Sequence, residues 1–148
     1  MFDGRFRVPI EKAVRPVGQL LRRTGMSPDH LTILGILFAI AAAFSIAQGA
    51  LRGGLILVIL VALPDMLDGA LAKAAGSASQ RGAFFDSVVD RVTDSLLFGG
   101  VAWFFASEKG PHLALLPMAI MGVSSLISYE RAKAESLGLY AKGGLMER

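Results

Sequence analysis

At 148 residues, with 53% hydrophobic and only 18% charged residues, the chain reads as a membrane protein rather than a soluble domain, and its mean hydropathy of +0.56 agrees. It contains no cysteine, which excludes a disulfide framework, a zinc finger and thiol catalysis. The formal charge of +3 is spread over the ends and loops, so it reads as membrane-surface bias and not as the footprint of a nucleic-acid partner.

The chain opens with a basic region carrying Arg5, Arg7, Lys12, Arg15, Arg22 and Arg23. Between about Phe6 and Thr24 its apolar residues Val8, Ile10, Val14, Val17, Leu20 and Leu21 recur at roughly helical spacing, which predicts a basic amphipathic helix lying in the membrane interface. The basic stretch is too long for a cleavable signal peptide, and no small-residue cleavage site follows a central apolar run. Charge-free windows then predict four membrane helices. The first covers Leu31 to Leu51, and the second runs from Gly53 to about Ala72. The third runs from near Gly82 to about Ala106, and the fourth from about Leu113 to Tyr129, with Pro117 as a candidate kink. The expected class is therefore all-α: a polytopic membrane helix bundle preceded by an interfacial helix, in a single domain over residues 1–148.

Lysine and arginine in the short loops set the expected orientation. The N-terminal region, Lys73 and Arg81 between the second and third spans, and Arg131, Lys133, Lys142 and Arg148 after the fourth fall on one side. The opposite loops hold only Arg52 and Lys109. The N-terminus, the connection between spans two and three, and the C-terminal tail are thus expected to face the cytoplasm in a multi-pass protein of the cell membrane.

The informative residues are four aspartates in otherwise apolar sequence: Asp65, Asp68, Asp86 and Asp90. They stand in the pattern Asp65-x-x-Asp68-Gly69-x-x-Ala72-Lys73, then, after an intervening stretch, Gly82-x-x-x-Asp86-x-x-x-Asp90. A carboxylate at membrane depth costs at least a few kcal/mol, so such residues are rare and usually functional. On helices, Asp65, Asp68, Gly69, Ala72 and Lys73 form one stripe, and Gly82, Asp86, Asp90 and Asp94 another. The short Gly76-Ser77-Ala78-Ser79 connection predicts that the two helices are antiparallel neighbours whose stripes meet. Four carboxylates from facing helices make an oxygen cage suited to a hard divalent cation such as Mg²⁺ or Mn²⁺, and zinc is a poor candidate without thiol or histidine nearby. Gly69 and Gly82 leave room for a bulky group beside the metal, and Lys73 adds a cation suited to phosphate, so the expected ligand is a phosphate or pyrophosphate.

Blander readings compete with these. Either glycine could serve helix packing alone, Lys73 could snorkel at a helix end, and Asp94 reads better as a supporting residue than as a ligand. The acidic helix pair as a whole could line a cation or proton pathway in a transporter.

The aspartate pattern resembles the signature of the CDP-alcohol phosphotransferases, membrane enzymes of phospholipid synthesis. That signature is Asp-x-x-Asp-Gly-x-x-Ala-Arg followed by Gly-x-x-x-Asp-x-x-x-Asp, and Lys73 in place of arginine is the one departure. Ser27-Pro28-Asp29-His30-Leu31-Thr32 is similar to the family's Thr-Pro-Asn/Asp-x-x-Thr segment beside the nucleotide. Ser128-Tyr129-Glu130-Arg131-Ala132-Lys133-Ala134-Glu135 and the ending Gly143-Gly144-Leu145-Met146-Glu147-Arg148 resemble stretches of the actinobacterial phosphatidylinositol phosphate synthases of that family.

The resemblance implies transfer of a phosphatidyl group from CDP-diacylglycerol to the hydroxyl of inositol phosphate, with release of CMP. The alternatives are a phosphatidylglycerol phosphate synthase using glycerol 3-phosphate and, from another class, a cation-transporting membrane protein. It further implies that Asp65, Asp68, Asp86 and Asp90 hold one or two Mg²⁺ or Mn²⁺ ions, and that Asp90 is also the general base. Pro28, Asp29, His30, Leu31, Gly69, Lys73 and Ser79 would contact CDP-diacylglycerol. Arg131 and Lys133 would bind the acceptor's phosphate, and the protein would be a homodimer among membrane lipids, with no nucleic-acid partner. Family members usually have six membrane helices, so the chain is expected to be truncated before its last two.

Overall fold

The structure, a computed structural model, describes residues 28–62 and 80–139, which are all-helical with no strand among them. The expected interfacial helix near Phe6 to Thr24 lies outside the described residues, as do Asp65, Asp68, Gly69, Lys73, Ser79 and the Gly143–Arg148 ending.

Helix α1 covers Pro28–Ala47. Proline suits a first helical position because its fixed φ is preset for the helix and its missing N–H would have had no partner there. The helix ends before the expected Leu51, and a glycine explains where. Gly49 adopts φ 75°, its N–H donates to the Ile46 carbonyl at 2.9 Å, and the Ala50 N–H donates to the Ser45 carbonyl at 2.9 Å. This left-handed glycine cap satisfies carbonyls that the helix end leaves open and turns the chain straight into helix α2, Leu51–Ala62.

Helix α3 is the long element, 29 residues over Gln80–Glu108, or about 43 Å at the usual rise. A 3₁₀ turn at Pro111–Ala114 leads into helix α4, Leu115–Ser136. Pro117 is buried in the first turn of α4, where its missing N–H costs little, so it opens this helix instead of kinking it. Helix α4 runs past the apolar window that ends at Tyr129 and carries Arg131 and Lys133 on its last turns.

Helix α1 packs against α3, and α3 against α4. The buried stripe of α1 is Leu31, Gly35, Ala39 and Ala42, at helical period and dominated by small residues. Opposite it, Gly100 of α3 is buried so closely against Ala43 that a Cβ there would lie 2.5 Å from the Ala43 carbonyl oxygen. Large apolar side chains point outward instead: Ile33, Leu37 and Phe44 on α1, Leu55 and Ile59 on α2, Trp103 on α3, and Leu115, Val123 and Ile127 on α4. Small residues inside and large apolar residues outside is the arrangement of helices that pack in lipid, where close backbone approach replaces hydrophobic exclusion as the driving force. Among the described residues, His30–Ala47 and Pro111–Ser136 are long and apolar enough to cross a membrane. Helix α3 is apolar only over its second half, because Arg81, Asp86, Asp90, Arg91 and Asp94 fall in the first.

Candidate active site

Helices α1, α2 and α3 enclose a cavity of about 230 Å³. Leu31, Thr32 and Gly35 come from the start of α1, Val58, Val61 and Ala62 from the end of α2, and Asp86, Val89, Asp90, Thr93, Asp94 and Leu97 from the first half of α3. The polar wall is thus one helix face: Asp86, Asp90 and Asp94 recur every fourth residue, so a straight helix stacks their carboxylates along the same side. The opposing walls are apolar except for Thr32. An apolar pocket with a few converging polar groups is the usual form of a ligand site.

The acidic face carries its own cation. Arg91 Nη1 lies 3.3 Å from Asp94 Oδ2, and Nη2 lies 3.9 Å from Asp90 Oδ2. The same Nη1 donates a 2.7 Å hydrogen bond to Ser128 Oγ of α4. Ser128 Oγ in turn donates to the Ser124 carbonyl at 3.1 Å. Asp90 is about half exposed at 49% and Asp94 less so at 36%, so the face runs from an open end toward a more enclosed one. Sequence reasoning singled out neither Arg91 nor Thr93. The signal for Arg91 was present, since it is a cation between two aspartates in apolar sequence, with Asp94 three residues on along one helix face.

Among the expected metal ligands, the structure brings Asp86 and Asp90 to one cavity, while Asp65 and Asp68 lie outside the described residues. Among the described residues no three acidic, histidine or cysteine side chains cluster as a metal site. Of the expected CDP-diacylglycerol contacts, Leu31 is buried in the cavity wall at 3% exposure, while Pro28, Asp29 and His30 form the first turn of α1 just before it. Gly69, Lys73 and Ser79 lie outside the described residues. Of the expected acceptor contacts, Arg131 forms a 3.4 Å ion pair with Glu135, and both are well exposed. Arg131 stands three residues past Ser128 and so continues the stripe of α4 that meets α3, whereas Lys133, five residues past it, turns away.

The family model for CDP-alcohol phosphatidyltransferase matches residues 25–137, which takes in the whole cavity. The chain belongs to the CDP-alcohol phosphatidyltransferase family. Its relatives include the phosphatidylinositol phosphate synthase of Mycobacteroides abscessus, 40% identical over 144 residues that cover 96% of this chain and 66% of the relative. Two crystal structures of the Mycobacterium tuberculosis phosphatidylinositol phosphate synthase are similar in fold. One, with CDP-DAG bound, superposes with a TM-score of 0.83 at 35% identity over 93% of this chain and 70% of the other. The second, in complex with manganese and citrate, gives 0.81 at 36% identity over 91% of this chain and 66% of the other. The chain spans just under two thirds of the length of the first curated relatives it matches, at 66%, 65% and 62%. CDP-alcohol phosphatidyltransferases are integral membrane proteins, in keeping with the two helices that, among the described residues, are long and apolar enough to cross a membrane.

Proposed function

We propose that this chain carries the metal-binding and CDP-diacylglycerol-binding part of an enzyme that transfers a phosphatidyl group to the hydroxyl of inositol phosphate, releasing CMP. The observation that carries the reading is that Asp86 and Asp90 share one cavity with the start of α1 and the end of α2. The second half of the family signature, Gly82 to Asp90, falls on the start of α3 and the Pro28–Thr32 segment on the start of α1, while the first half begins in the sequence three residues past Ala62. Relatives bearing the phosphatidylinositol phosphate synthase name at 35–40% identity support inositol phosphate as the acceptor.

The donor set fits a hard cation: the cavity wall offers carboxylate and hydroxyl oxygens, with neither thiol nor imidazole among the lining residues. Asp65 and Asp68 would complete the ligand set. Asp65 follows the cavity-lining Ala62 by three residues, so covalent geometry keeps their Cα atoms within about 11 Å. One or two Mg²⁺ or Mn²⁺ ions held by these aspartates would supply positive charge to offset that of the pyrophosphate and of the departing CMP. Lys73, Gly69 and Ser79 add contacts to the CDP moiety, as do Pro28, Asp29, His30 and Leu31. Asp90 accepts the proton of the acceptor hydroxyl as its oxygen attacks the phosphorus attached to diacylglycerol. The bond from that phosphorus to the bridging oxygen breaks, and CMP leaves with the bridging oxygen. Arg131, on the stripe of α4 that meets α3, draws the acceptor's phosphate toward the aspartate face. Its exposed pair with Glu135 is of the kind that contributes little, so a phosphate dianion can displace it.

The proposal includes a multi-pass arrangement with the aspartate end of the bundle toward the cytoplasm, supported by the distribution of lysine and arginine, and a homodimer, as the family resemblance implies. The deciding experiment is CMP release from CDP-diacylglycerol by the purified full-length enzyme, with inositol phosphate or glycerol 3-phosphate, in the presence and absence of Mg²⁺ and Mn²⁺. Metal-dependent release with inositol phosphate is expected. Release with glycerol 3-phosphate alone would reassign the acceptor, and no release with either would refute the transferase reading.

A further inference from the structure

We infer that Arg91 is a positioning residue that fixes the acceptor-side helix α4 against the aspartate face of α3, and so sets how the acceptor meets Asp90. The inference rests on the transferase reading of the cavity and adds a residue to which neither the family signature nor the charge pattern drew attention.

The geometry is specific. One guanidinium reaches two carboxylates of the cavity wall, Asp94 at 3.3 Å and Asp90 at 3.9 Å, and from the same end donates to Ser128 Oγ at 2.7 Å. Ser128 is 37 residues away in sequence, so this contact joins separate elements rather than neighbouring turns. A planar fork of donors can hold two acceptors and a hydroxyl in one fixed arrangement, which a lysine ammonium does less well. Along α4, Arg131 lies three residues past Ser128, about 4.5 Å further along the axis and on the same face. On α3, Asp86 lies five residues before Arg91, about 7.5 Å along its axis. Because α3 and α4 are joined by a short 3₁₀ turn and run in opposite directions, both displacements point toward the same end of the bundle. The hydrogen bond between Arg91 and Ser128 therefore fixes the level at which Arg131 stands relative to Asp86 and Asp90.

The consequence is a division of labour that kinetics can read. Loss of Arg91 leaves the proposed CDP contacts at the start of α1, Pro28 to Leu31, in place. It loosens α4, and the acceptor is then held at a shifting distance from the base. A charged hydrogen bond of this kind is worth roughly an order of magnitude in a binding constant.

The test uses the full-length enzyme with Mg²⁺, CDP-diacylglycerol in mixed micelles and inositol phosphate. Arg91→Gln should raise the acceptor KM about tenfold and lower kcat, with the KM for CDP-diacylglycerol within about twofold of the parent. Arg91→Lys should recover part of the loss, and Ser128→Ala should shift the acceptor KM in the same direction by less. Unchanged acceptor KM with a lower melting temperature would reduce Arg91 to a structural staple, and an equal rise in both KM values would place its effect on the metal face; either overturns the inference. A second measurement does not depend on turnover. The chain has no cysteine, so spin labels can be attached at Arg81→Cys and Leu137→Cys, at the exposed ends of α3 and α4. Arg91→Gln should broaden or shift the distance distribution between them, and a distribution identical to the parent's would overturn the inference. If the parent releases no CMP, the transferase reading fails, while the label distances still decide whether Arg91 fixes α4 against α3.

Discussion

Gly100→Ala should separate α1 from α3 and destabilise the bundle, while Gly99→Ala should not. A Cβ at position 100 would lie 2.5 Å from the Ala43 carbonyl oxygen, 2.9 Å from its Cα and 3.0 Å from its carbonyl carbon. All three are backbone atoms, so no side chain can swing away, and reaching ordinary contact near 3.5 Å requires the helices to part by roughly 0.5–1 Å. Overpacking of that order costs about 1–3 kcal/mol. At the thermal sensitivity of soluble domains of similar size, this is a loss of roughly 2–12 °C in Tm. Gly99 supplies the control, because nothing lies within 4 Å of a Cβ there and alanine is the better helix former by up to about 1 kcal/mol. The assay is thermal unfolding of both variants in detergent, alongside turnover. Because α1 and α3 also carry Thr32 and the aspartates on facing walls of the cavity, Gly100→Ala should lower activity even below its melting point. Equal melting of the two variants would refute the claim that α1 and α3 meet through their backbones.

The remaining predictions concern the site. Asp90→Asn should keep CDP-diacylglycerol binding and lower turnover by roughly two or more orders of magnitude, the range of a lost general base; near-normal turnover removes Asp90 from that role. Asp86→Ala should abolish activity, and chelation of the parent enzyme should do so reversibly on readdition of Mg²⁺ or Mn²⁺. Full activity after exhaustive chelation would sink the oxygen-cage argument. Arg131→Ala should raise the acceptor KM several-fold and Lys133→Ala should leave it nearly unchanged, because only Arg131 shares the α4 face of Ser128. The reverse order would mean that α4 presents its other side to the acceptor.

Period and charge made much of this legible in the sequence. The aspartate stripe could be placed on one face because Asp86, Asp90 and Asp94 are four residues apart, and the structure puts all three on the same cavity wall. The end of α1 was misplaced because hydropathy continues through Ala50 and Leu51, whereas the helix stops on the left-handed Gly49, a backbone event that apolar windows do not register. The fourth helix extends beyond its apolar window, which ends at Tyr129. Glu130, Arg131 and Lys133 break the apolar window, but charged residues are good helix formers, and the helix carries on to Ser136. The charge of Arg91 between two aspartates is legible in the sequence, but its contact with Ser128 is not, because periodicity within one helix says nothing about which helix it faces.

The depth of the aspartates follows from the length of α3 in the proposed orientation. Its uncharged stretch, Ser95 to Ser107, rises only about 20 Å, less than the roughly 30 Å of a hydrocarbon core. If Glu108 marks the far interface, Asp94 lies about 21 Å along the axis, Asp90 about 27 Å and Asp86 about 33 Å. Asp86 then reaches the cytoplasmic surface, Asp90 sits just below it, and Asp94 is well within the apolar layer. A carboxylate that deep is costly unless it faces a cavity and is paired, and Asp94 does both, lining the cavity and pairing with Arg91 at 3.3 Å. The graded placement suits a lipid substrate whose pyrophosphate lies at head-group level. In the proposed reading Asp86 and Asp90 would stand where that group arrives, with the Arg91–Asp94 pair beneath them. A carboxylate one turn deeper than Asp90 is tolerated at Asp94 because it faces the cavity and pairs with Arg91, and one placed there without such a partner would be stranded in hydrocarbon.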